Sequence, residues 1–131
     1  MRTLRRAERR AIAKRARELV KAGWVKGTWR AGRGKNVKYC LEGACNQAAI
    51  DVLGVKEAKE LGASYGRGIA RNGVFTDVLS VRDEAVTYAK EKGWSYGPGF
   101  YPTAANSVND HPDTEKEDII AILTRYIRRN R

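Results

Sequence analysis

The chain has 131 residues, with 26 Lys and Arg against 15 Asp and Glu, a formal net charge of +11, 42% hydrophobic residues and two cysteines. This composition excludes a chain disordered throughout, a collagen-like repeat and a disulfide-dense secreted scaffold, and no run reaches the roughly 18–20 apolar residues of a membrane-spanning helix. The excess charge is segregated: residues 1–38 carry 14 basic and 2 acidic side chains, a net of +12, and the rest of the chain nets −1. A basic segment on a near-neutral body sets up a local field for polyanions, of which nucleic acid is the commonest. The sparse, closely spaced cysteines and the absence of an apolar signal run predict a cytoplasmic protein.

In chain order, residues 3–22 read as a helix of good helix formers, with Leu4, Ala7, Ala11, Ile12, Ala16 and Leu19 on one face. Arg6, Arg10, Lys14, Arg17 and Lys21 form a cationic stripe on the other. Because the apolar face is mostly alanine, the helix is expected to be partly detached, ending at Gly23 in a left-handed cap. Residues 24–39 read as a loop or short hairpin, with Trp24, Trp29 and Tyr39 around the exposed run Gly32-Arg33-Gly34-Lys35-Asn36. A second helix is expected over 38–53, with Leu41, Ala44, Cys45, Ala48 and Val52 as its inner stripe, then a short helix over 55–61.

The stretch 62–73 is broken by Gly62, Gly66, Gly68 and Gly73 and reads as a surface loop; Arg67 and Arg71 would supplement a basic surface. A helix over 81–92 ends at Gly93, residues 96–101 form a loop, and a short helix covers 103–108. Thr114 with Glu117 predicts the start of a closing helix, acidic in its first turn and carrying Arg125, Arg128 and Arg129 near its end. Together these elements predict an all-α fold: a compact bundle of four or five short helices with Gly-rich loops. Residues 1–22 would be its basic amphipathic helix and 23–131 a small helical domain.

Gly23-Trp24 followed by Gly27, then Cys40-Leu41-Glu42-Gly43-Ala44, then Val108-Asn109-Asp110 ahead of Thr114-Glu115-Lys116-Glu117-Asp118-Ile119, occur in that order across residues 18–128. In these segments the chain resembles a small uncharacterised domain family of actinobacteria and their phages. The resemblance implies a small helical domain of bacterial or phage origin and no particular activity. The glycine-rich stretch and the strongly basic start depart from the family pattern.

Motifs for chemistry are sparse. Cys40 and Cys45, with His111 as the single histidine, lack the four close ligands of a structural zinc site, so no metal and no cofactor is expected. A Cys40–His111 nucleophilic pair oriented by Asp110 or Asn109 has no supporting motif, and Asn109-Asp110 reads as a brace of the turn before the last helix. The glycines of 62–73 match neither the phosphate-loop nor the dinucleotide spacing.

The cationic stripe is the leading candidate. Arg6, Arg10, Lys14, Arg17 and Lys21, extended by Arg30, Arg33 and Lys35, would neutralise phosphates of DNA or RNA with little sequence specificity. Trp24, Trp29 and Tyr39 would either anchor the core or stack on bases. The expected function is therefore a non-catalytic, phage-encoded nucleic-acid-binding protein. The alternative is a protein–protein interaction module that modifies a host protein, its basic helix docking into an acidic groove.

Overall fold

The computed structural model describes residues 2–63 and 74–131, without the side chain of Val74. Gly66, Gly68 and Gly73, with Arg67 and Arg71, lie outside the described residues, and so does most of the loop expected over 62–73. The order is α1 (Arg6–Ala22), β1 (Arg30–Ala31), a 3-10 turn (Gly34–Asn36), β2 (Lys38–Tyr39), α2 (Leu41–Leu53), α3 (Val55–Glu60), α4 (Val74–Leu79), α5 (Val81–Lys92), α6 (Ala105–Asp110) and α7 (Lys116–Arg129). The architecture is all-α, but the expected four or five helices are corrected to seven among the described residues. The short helices expected over 55–61 and 103–108 are α3 and, shifted by two residues, α6; α4 had no expected counterpart. Its six residues are under two turns, too short for a 3.6-residue period to stand out.

The expectation of a partly detached first helix is also corrected. Ile12, Ala13, Ala16 and Val20 are completely buried, and α1 lies against both α2 and α7. Burying Ile12 and Val20 contributes about 1.5–3 kcal/mol each. Ala13 and Ala16 contribute less, but they let α1 approach an α2 face that is itself made of Ala44, Ala48 and Ala49, all fully buried. Val52, expected in that stripe, is exposed instead. The core continues through Leu41, Phe75, Leu79, Ile119, Ile122 and Leu123, none of which reaches solvent.

Residues 24–39 settle as a hairpin: Arg30 pairs with Tyr39 and Ala31 with Lys38, antiparallel. Trp29 and Tyr39 are buried, while Gly32 to Asn36 face water. Gly23 is extended rather than left-handed, with φ −176°. A Cβ there would meet Val37 O at 2.7 Å, so glycine serves close packing of the hairpin on the end of α1. The similar Gly93-Trp94 does use a left-handed cap, at φ 72°. The last helix begins at Lys116, later than expected: Asp118 accepts from Glu115 N at 2.8 Å, whereas Thr114 donates its hydroxyl back to Val108 O at 2.6 Å, tying α6 to the start of α7.

Candidate functional site

Two polar arrangements stand out, one buried and one open. The buried one centres on Asn109, which is fully shielded from solvent. Its Oδ1 accepts from Trp24 Nε1 at 2.7 Å and from Leu41 N at 3.0 Å. Its Nδ2 donates to Val25 O at 3.1 Å and to Asp110 Oδ1 at 2.9 Å, and that Asp110 oxygen also accepts from Gly27 N at 2.9 Å. All four hydrogen-bonding positions of the amide are filled. The bracket joins α6, the segment after α1 and the N-terminus of α2, a wider reach than the local turn the sequence implies.

The nearby Cys40 thiol and His111 imidazole have other partners. Cys40 Sγ accepts from Gly43 N at 3.3 Å as the cap of α2, and burial pushes its pKa up to about 12. Burial also drives the Cys45 thiol well above its ordinary value. His111 stacks on Trp94 with ring centroids 5.4 Å apart, and its Nδ1 accepts from Asp113 N at 3.1 Å. Among the described residues no group of three or more His, Cys, Asp or Glu is arranged to hold a metal ion. A thiol kept protonated is a poor nucleophile and a poor metal ligand.

The open arrangement is cationic. Lys116 Nζ reaches Lys21 O at 2.9 Å, Arg17 Nη1 reaches Thr124 Oγ1 at 3.1 Å, and Arg10 Nη1 reaches Asn130 O at 2.9 Å. These contacts set α1 and α7 side by side and antiparallel. Between them runs a groove of about 430 Å³ lined by Arg10, Lys14, Arg17, Thr124, Ile127, Arg128 and Arg131. Five of the seven lining side chains are cations and none is Asp or Glu. Arg6 joins its end, donating to the main-chain oxygen of Arg131 at 3.4 Å.

The partners of these cations separate them from Arg2, Arg5 and Arg15 of the same segment. Arg2 pairs with Glu8 and Glu57, Arg5 with Glu8, and Arg15 with Glu18 and Asp51. By contrast, Arg6, Arg10, Lys14, Arg17, Arg128 and Arg131 have no Asp or Glu partner within 4.0 Å among the described residues. Arg10 and Arg17 each use one of five guanidinium donors on a neutral oxygen. Those single bonds hold the fork in place and leave its other donors available. Thr124 sets the Arg17 contact by donating its own hydrogen to Ile120 O at 2.8 Å.

Of the eight residues of the sequence-derived stripe, the groove gathers Arg10, Lys14 and Arg17, with Arg6 at its end. Lys21 is exposed one turn beyond Arg17. Arg30, Arg33 and Lys35 are exposed on the hairpin, and no contact among the described residues ties them to the groove; Arg30 instead lies 5.9 Å from the Tyr39 ring centroid. Arg128 and Arg131 were missed as site residues. Arg128 was read only as a match to the helix dipole, and Arg131, two residues beyond the last helical one, was not singled out. Of the two roles open to the aromatic residues, Trp29 and Tyr39 take the core-anchoring one, both being buried; Trp24 is half-buried and donates its indole N–H to Asn109.

A model described as a family of unknown function (DUF6197) matches residues 4–129. The chain belongs to this family. Membership in DUF6197 agrees with the resemblance to an uncharacterised domain drawn from the sequence, and it attaches no activity to any residue. No curated protein and no solved structure matches the chain. In this DUF6197 member several residues that carried the resemblance, Trp24, Gly27, Leu41, Asn109 and Asp110, meet in the buried bracket, so that signature builds the scaffold. The cationic groove rests on other residues. No helix among the described residues is long and apolar enough to cross a membrane.

Proposed function

We propose that this DUF6197 protein binds nucleic acid without catalysing a reaction and with little sequence specificity, by neutralising phosphates in the groove between α1 and α7. The observation that carries the reading is the lining itself: five cations, no carboxylate side chain, and no Asp or Glu partner for any of them among the described residues. Arg binds phosphate through a planar fork and Lys as a point charge, and neither reads a base from the backbone. Lys21, Arg30, Arg33 and Lys35 extend the field at the far end of α1. The setting that goes with this reading is a bacterial cytoplasm, with an actinobacterial or phage gene, and rests on the resemblance in sequence.

The test is fluorescence anisotropy on labelled DNA and RNA across a salt series. Replacing Arg10, Lys14 and Arg17 together by Gln should weaken binding at least tenfold at 50 mM salt, and should lower the slope of log K against log salt by roughly 2–3. Affinity and slope unchanged in a folded triple variant would end the proposal.

A second reading, a protein-interaction module acting on a host protein, is favoured by a different surface. Phe100 is 72% exposed where the 96–100 loop closes, with Tyr96 N donating to Phe100 O at 2.7 Å. Beside the loop lies a cleft lined in part by Arg82, Val86, Lys90 and Tyr101. A nuclease-resistant host complex lost on Phe100→Ser, with the triple variant unaffected in nucleic-acid binding, would favour this reading.

A further inference from the structure

Resting on the phosphate-binding reading above, we infer that the groove's ligand is the phosphate ridge of a double helix rather than a single strand, and that the second wall contributes through Arg128 of α7 and Arg131 just beyond it. The make-up of the lining carries this.

The groove contains no stacking platform. Its uncharged lining residues are Thr124 and Ile127, and the neighbouring Tyr126 is buried with its hydroxyl donating to Leu79 O. Single-strand binders add base stacking on aromatic rings, worth about 1–3 kcal/mol per base, to their phosphate contacts. Here that contribution is missing, and phosphate alone supplies the attraction. A duplex presents one charge per about 1.7 Å of axis and releases about 0.9 counterion per neutralised phosphate, against about 0.7 for a single strand. Five cations acting by charge alone therefore favour the duplex.

Arg10 to Arg17 spans about 10 Å of helix on one wall of the groove, and Arg128 and Arg131 stand on the other. Ile12, Ala13, Ala16 and Val20 are buried in the bundle, so α1 presents its cationic face to a ligand.

The experiment measures anisotropy of four labelled probes of equal length: a 20-base-pair DNA duplex, the matching RNA duplex and the corresponding single strands of mixed sequence. The full chain is used, with melting curves confirming that the variants fold. At 50 mM salt at least one duplex should bind about tenfold or more tightly than its own single strand, with a slope of log K against log salt near −4.5 for five neutralised phosphates. The two duplex arms show whether the ridge is that of DNA, RNA or both. Arg128→Gln and Arg131→Gln should each reduce the slope magnitude by about 0.9. Single strands bound as tightly as duplexes, and losing affinity in the Arg10, Lys14 and Arg17 triple variant, would overturn this inference and leave phosphate binding standing. Duplex preference with slopes untouched by both of these variants would remove the second wall from the site. Absence of binding to all four probes would overturn the parent reading as well.

Discussion

Asn109 shows how much a single side chain holds in this fold. Its amide fills four positions with Trp24, Leu41, Val25 and Asp110. In Asn109→Ala the indole N–H of Trp24 and the backbone N–H of Leu41 both lose their acceptor, the second at a buried position. Each such loss costs about 1–3 kcal/mol, so the variant should be less stable by about 3 kcal/mol, read as a lower midpoint in urea. A loss under about 0.5 kcal/mol would mean that water replaces the amide. The Asn-Asp pair was recognisable from sequence as a turn-bracing device, because both side chains bond readily to nearby backbone. Its distant partners were not, since a residue such as Leu41 becomes a neighbour only through tertiary packing.

At the scale of elements, two helix starts carry testable consequences. Glu8 opens α1 by accepting from Arg5 N at 3.0 Å and from both Arg2 guanidinium nitrogens at 2.8 and 2.9 Å. Those hydrogen bonds, chiefly Arg2's, lower its pKa from the ordinary 4.5 to about 2. A carboxylate depressed in the folded state stabilises above its unfolded value, and that contribution is lost as pH falls through the folded one. The melting temperature of the wild type should therefore lose the contribution of Glu8 between about pH 4.5 and 2, and Glu8→Gln should be flatter across that window. Equal pH profiles would show that the pair does not couple to folding. The start of α2 is steric. A Cβ on Gly43 would stand 2.0 Å from Trp29 O, a backbone atom that also accepts from Cys40 N at 3.1 Å. Gly43→Ala should cost about 1–3 kcal/mol by overpacking despite alanine's higher helix propensity. A gain in denaturant midpoint would show that the hairpin yields. From sequence, Gly43 looked like one more small residue on a helix face; its proximity to the hairpin depends on how the hairpin folds back.

For the molecule as a whole, legibility followed length and periodicity. α1, α5 and α7, each of twelve residues or more, have apolar faces that recur often enough to be read. α4 was not readable: its Phe75 and Leu79 are fully buried one turn apart, and six residues after a run of glycines give no repeat. Half of the candidate site was visible as the stripe on α1. The other half, Arg128 and Arg131, was not: Arg128 already had a sufficient local explanation in the helix dipole, and Arg131, beyond the helix, had no periodic pattern to join. The pairing of first and last helices has one more consequence. The cations facing each other across the groove stand more than a hundred positions apart along the chain, so neither terminal helix carries the binding surface alone. A peptide copied from the N-terminal helix would hold its arginines without the opposing wall or the carbonyls that aim them. Trimming the chain behind Ile127 would dismantle the groove while sparing the buried centre. On the proposed reading, binding therefore requires both helices folded against each other.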